Sequence, residues 1–101
     1  MARYRVRSAA SAGALLAALK EAVPDLLLLD VMLPDGDGFA ILANLRKHPA
    51  HALLPVIMIT IRDEPADIYR GLAFGADGYV TKPYSRDLLA DVIRRVLKQE
   101  F

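Results

Sequence analysis

Apolar residues along this chain fall into runs of two different periods, and their alternation predicts the elements. Leu15, Leu16, Leu19 and Val23 recur at helical spacing behind Ser11, a good cap, and Pro24 stops the pattern, so a helix is expected from about Ala12 to Ala22. Leu26 to Leu29 is short and unbroken, bounded by Pro24 and by the turn-rich Pro34-Asp35-Gly36-Asp37-Gly38, which reads as a strand buried on both faces. Asp37 then caps a second helix that buries Phe39, Leu42 and Leu45 and ends near His48-Pro49. Pro55 opens a second buried strand, Val56 to Ile59. A third helix starts near Glu64-Pro65, turns Ile68 and Leu72 inward and ends at Gly75. Gly78 to Thr81 is a short strand. Ser85 caps the last helix, whose Leu88, Leu89, Val92, Ile93, Val96 and Leu97 form a stripe opposite Arg86, Asp91, Arg94 and Lys98. Tyr4 to Ala9 is one more strand candidate, with Tyr4 and Val6 alternating with arginines.

The tally is βαβαβαβα, four strands and four helices. Strands that alternate with helices imply parallel pairing and right-handed crossovers, hence an open doubly wound α/β sheet. At 101 residues the chain is the size of one domain, 1–101, with no repeat or linker. Its 54% hydrophobic and 25% charged residues exclude a disordered tail. The net charge of +1 favours neither nucleic acid nor membrane, although every charged residue before Glu21 is basic. Arg94, Arg95 and Lys98 make a small basic cluster without a recognition motif, so direct nucleic-acid binding is not expected. No apolar run reaches the roughly 20 residues of a membrane span, and no signal peptide is visible. With no cysteine, the chain reads as a cytoplasmic one.

In an open α/β sheet the ligand site lies beyond the carboxyl ends of the strands. Asp30 ends the first leucine run, Thr60 ends Val56 to Ile59, and Lys82 follows Thr81. Taken singly, each has an ordinary explanation in a turn, in packing or at the surface. Together they place a carboxylate, a hydroxyl and an ammonium at one sheet edge, a set suited to phosphoryl chemistry with Asp30 as nucleophile. Two competing motifs fail. Placing Gly38 at the sixth position of a calcium loop puts Leu33 first and Asn44 last, where carboxylates are needed. His48 and His51 share a loop with no cysteine or helical pairing to support a metal.

The segment from Pro24 to Gly38, with Thr60, the run Gly71 to Tyr79, and Lys82-Pro83-Tyr84, resembles the response-regulator receiver domain, a chemotaxis-regulator-like module of two-component signalling. The match covers nearly the whole chain. The resemblance implies a flavodoxin-like fold and a non-enzymatic role. It also implies that Asp30 is the phosphoacceptor, that Thr60 and Lys82 contact the phosphoryl group, and that the peptide to Pro83 is cis. Thr60 and Tyr79 would be the switch pair, and the third helix, last strand and last helix would form the output surface. Mg²⁺ would be held by Asp30 and the Met32 backbone carbonyl, and the phosphoryl group would come from a histidine kinase or phosphotransfer protein.

The chain departs from the family at its start. Receivers open with a strand ending in an acidic pair, followed by a helix, and only Met1 to Arg3 precede the segment that resembles the second strand here. The acid pair normally holds Mg²⁺, so metal binding is expected to be weak or absent. An alternative function follows: a pseudo-receiver or engineered receiver fragment that acts as an assembly module without Mg²⁺-dependent phosphorylation. In the family's 2-1-3-4-5 order the absent strand lies between Tyr4 to Ala9 and Leu26 to Leu29. Either the first segment moves beside the second or another chain fills the gap, and a homo-oligomer is expected.

Overall fold

Helices and strands alternate in the computed structural model, which describes residues 7–61 and 65–98. The elements are α1 (Ala12–Glu21), β1 (Leu27–Asp30), β2 (Met32–Leu33), β3 (Gly36–Asp37), α2 (Gly38–Lys47), β4 (Val56–Thr60), α3 (Pro65–Ala73), β5 (Gly78–Thr81) and α4 (Arg86–Lys98). β1, β4 and β5 form a parallel sheet in the order β1-β4-β5, with β4 central and buried along its whole length. β2 and β3 are a two-residue antiparallel pair within the turn before α2.

The caps explain where the helices start. The Ser11 hydroxyl accepts from the Ala14 N–H, the Asp37 carboxylate from Phe39 and the Ser85 hydroxyl from Leu88. Gly75, at φ 103°, closes the turn after α3 in a conformation that side chains other than glycine rarely adopt. Gly38 has a different reason to be glycine: a Cβ there would run into the Asp30 carbonyl. Its absence lets α2 begin directly against the end of β1, where the Gly38 N–H donates to the Val31 carbonyl at 2.7 Å.

The core has two parts, one on each face of the sheet. Leu15 and Leu19 of α1 and Phe39, Leu42 and Leu45 of α2 pack with Leu29, Val56 and Met58. On the other face Ile57, Ile59 and Val80 meet Val96 of α4, with Leu89, Val92 and Ile93 packed alongside. A single helix thus covers the second face among the described residues.

Several sequence expectations change. Arg7 to Ala9 carry no strand, and Tyr4 to Val6 lie outside the described residues, so the described parallel sheet has three strands rather than four. β1 is not buried on both faces: Leu29 is enclosed, but Leu28 is 42% exposed because only one helix covers its side. Leu16 and Val23 are also exposed, so Ala12, Leu15 and Leu19 make the packing face of α1. Leu72, expected inward, is 50% exposed, and Gly71 is the buried residue of α3. Leu88 is 49% exposed at the start of α4, above the level at which the sheet meets that helix.

Candidate functional site

Register brings the three expected residues together. Asp30 is paired with Ile59, so Thr60 stands one residue beyond it at the same sheet edge, and Thr60 is itself paired with Thr81, directly before Lys82. The Lys82 N–H donates to the Thr60 carbonyl at 2.8 Å, which ties the lysine to the end of β4. The Lys82 ammonium lies 3.2 Å from Asp30 Oδ2, and both side chains remain partly open to solvent. The Met32 N–H donates to Asp30 Oδ1 at 3.0 Å. Both carboxylate oxygens therefore already have a donor, one a full positive charge, which suits an oxygen that is to meet an anionic group. The Lys82–Pro83 peptide is cis.

Thr60 is fully buried, and its neighbours Val56 and Met58 fill the core below. Tyr79 sits further from this edge along its strand. It is paired with Met58, two positions further down, and its ring lies against α3, where a Cβ at Gly71 would be 3.0 Å from its Cδ2. Thr60 and Tyr79 are thus on neighbouring strands but at different levels.

The described residues do not form a closed Mg²⁺ site. Mg²⁺ requires near-octahedral oxygen ligation, and no group of three or more His, Cys, Asp or Glu suited to a metal gathers among the described residues. Asp30 and the Met32 carbonyl would supply two protein ligands, and Lys82 places a competing cation against the first.

Two residues not singled out from sequence hold the surroundings of the site in place. The Asp35 carboxylate accepts from the N–H groups of Ala12, at 2.6 Å, and Gly13, at 3.1 Å, and so fastens the turn after β1 to the start of α1. Those two bonds, Ala12 first, hold its pKa below the ordinary carboxylate value. Arg46 donates to the carbonyls of Gly75, His51 and Leu54 and to the Asp77 carboxylate, whose Oδ2 also accepts from the Val56 N–H where β4 begins. The Asp35 partners, and Gly75 and Asp77 among those of Arg46, lie more than 20 residues away in sequence, and neither residue's local pattern gives a sign of them.

A carboxylate, a buried hydroxyl and an ammonium thus gather at the carboxyl edge of a parallel sheet in a small α/β module. The family model for the response regulator receiver domain matches residues 1–94, and the chain belongs to that family. It is 44% identical over 81 residues to the phosphate regulon transcriptional regulatory protein PhoB of Rhizobium meliloti, covering 80% of this chain and 36% of that protein. It is 41% identical over 101 residues to the transcriptional regulatory protein GltR of Pseudomonas aeruginosa, covering 99% of this chain and 42% of that one. The chain thus spans less than half the length of these relatives. The receiver domain of NtrX from Brucella abortus superimposes with a TM-score of 0.87 at 31% identity, covering 96% of this chain and 81% of that one. Chemotaxis response regulator CheY4 of Vibrio cholerae gives 0.84 at 30% identity, covering 92% and 78%. The fold is the flavodoxin-like receiver fold, and no helix among the described residues is long and apolar enough to cross a membrane.

Proposed function

We propose that this chain is a single cytoplasmic receiver domain that takes a phosphoryl group on Asp30 from a histidine kinase or phosphotransfer protein and passes the change to a partner. The observation that carries this reading is the placement of Asp30, Thr60 and Lys82 at one sheet edge, with Lys82 in contact with Asp30. An Asp30 oxygen forms the new P–O bond as the P–N bond of a phosphohistidine breaks. The leaving imidazole keeps the electron pair and takes a proton from water. Lys82 and the Thr60 hydroxyl offset charge on the phosphoryl oxygens, and displacement of the Thr60 hydroxyl toward them vacates space for Tyr79.

Because the described carboxylates do not enclose Mg²⁺, modification of the isolated chain is expected to be slow. Intact-mass measurement with Mg²⁺ and acetyl phosphate tests both statements. The expected result is a gain of one phosphoryl group over hours, absent in Asp30→Asn. Completion within minutes would show that the site is already complete. No gain at all would favour the second reading, an interaction module without phosphorylation, which the open metal site among the described residues supports. Self-association through apolar surface such as Leu88 belongs to either reading and is read by light scattering.

A further inference from the structure

Residues 38–61 contain no aspartate or glutamate, although Arg46, Lys47, His48 and His51 all fall among them. The C-terminal half of α2 borders a pocket of about 310 Å³ shared with α1. Leu16 and Leu19 of α1 and Ile41 and Leu45 of α2 wall it, Lys20, His48 and His51 stand around it, and no carboxylate lines it. Glu21, next to Lys20 in sequence, is engaged by Arg7 at 2.9 Å. Cations in the last turn of a helix balance its dipole, and Lys20 and Lys47 are so placed, but Lys20 also borders an apolar hollow. The loop behind the hollow is fixed by its own bonds. Arg46 donates to the carbonyls of His51 and Leu54, on either side of Leu53. The His48 Nδ1 accepts from the Ala50 N–H at 3.1 Å, which leaves Nε2 as the proton-bearing nitrogen, and the rings of His48 and His51 stack with centroids 4.8 Å apart. Leu53, two residues beyond His51, is 93% exposed. A large apolar side chain is thus held out in solvent close to an apolar hollow whose border carries a cation and no anion.

We propose that this surface docks an acidic peptide segment of a partner protein, which inserts a large apolar side chain between α1 and α2 and sets carboxylates against Lys20 and His48. Three observations select that occupant. A border with Lys20 and two imidazoles and no acid calls for an anionic partner. The hollow lies at the small end of the range for ligand pockets, so it takes a side chain and not a whole helix, and Leu53 outside it offers a second contact to a chain that continues past the mouth. A second copy of this surface would set Lys20 and Lys47 against their own counterparts, and like charges facing each other disfavour that pairing. The inference is independent of phosphorylation and fails separately from it.

The test uses the whole chain and the capped hexapeptide Asp-Glu-Leu-Phe-Glu-Asp, with a control in which the four acids are lysines. Amide shifts of Leu16, Ile41 and His51, followed by NMR, should saturate with the acidic peptide below about 1 mM and not with the control. Lys20→Glu should weaken the acidic peptide about tenfold, while Lys98→Glu, on α4 at the other face of the sheet, should leave it unchanged within about twofold. No shift of these amides at millimolar peptide overturns the proposal. Equal binding of the lysine peptide, or by a folded Lys20→Glu variant, places the peptide elsewhere and also overturns it. So does octanoate if it gives the same shifts at the same concentration, which would make the hollow a small-molecule site. Self-association of the peptide-free chain, read by light scattering and abolished by Leu53→Ala, would put a second copy on this surface and overturn it as well. Should Lys20→Glu not fold, the lysine peptide decides.

Discussion

The Lys82 ammonium stands 3.2 Å from the Asp30 carboxylate although 52 residues separate the two in sequence. The pair is partly solvated, and exposed ion pairs contribute little to stability. Lys82→Ala is therefore expected to change unfolding free energy by less than about 1 kcal/mol. The yield of phosphorylated Asp30 should fall by about tenfold or more as the fixed cation is lost. Urea unfolding and intact-mass measurement on the same sample separate the two effects.

Arg46 acts in the opposite sense, on structure and not on chemistry. Its guanidinium satisfies carbonyls of Gly75, His51 and Leu54 and holds Asp77 at 3.2 Å. Arg46→Ala leaves those groups without their donor and should cost about 2–4 kcal/mol in urea unfolding. Arg46→Lys should recover only a minor part, since one ammonium cannot reach the same set of acceptors.

Asp35 gives the fold a dependence on acid. Its pKa is depressed in the folded chain by the Ala12 and Gly13 N–H groups, so its contribution is complete above the unfolded carboxylate value. The contribution is lost as pH falls through the lower folded value. Asp35→Asn should be less stable than the parent at neutral pH, and the two curves should converge below about pH 4. Thermal unfolding monitored by circular dichroism across pH 2 to 7 (a window of about five units around that value) checks it.

Gly71 sets the room available to Tyr79. A Cβ at this position would lie 3.0 Å and 3.1 Å from two ring carbons, so Gly71→Ala should displace the ring at a cost of about 1–2 kcal/mol. The Tyr79 ring resonances in NMR spectra should shift, while Asp30 and Lys82 keep their contact. Unchanged Tyr79 resonances in a folded variant would mean that α3 and not the ring gives way.

Much of this was legible in the sequence because the signals were local. Ser11, Asp37 and Ser85 are read as caps from their place before apolar periodicity, and all three accept the expected bonds. The convergence of Asp30, Thr60 and Lys82 followed from a rule about sheet edges, not from any one of the residues. What could not be read was the extent of burial. The unbroken Leu26 to Leu29 looks enclosed, yet Leu28 is exposed because a face is covered only if some helix reaches it, and that depends on the whole fold. Leu72 and Leu88 show the same limit, since a helical stripe can be wider than the surface it packs on. Arg46 and Asp35 were missed because their acceptors and donors belong to other elements.

The pairing of Leu27 with Val56 and of Ile57 with Gly78 means that no parallel strand here is joined to its neighbour by a hairpin. Each pairing has to close a long loop before it returns any free energy, and such topologies fold slowly. Asp30, Thr60 and Lys82 come from the ends of these three strands, so no early, local intermediate contains even two of them in contact. The Asp30–Lys82 approach is consequently expected late in folding, and a kinetic probe placed on it should respond only after the three strands have paired.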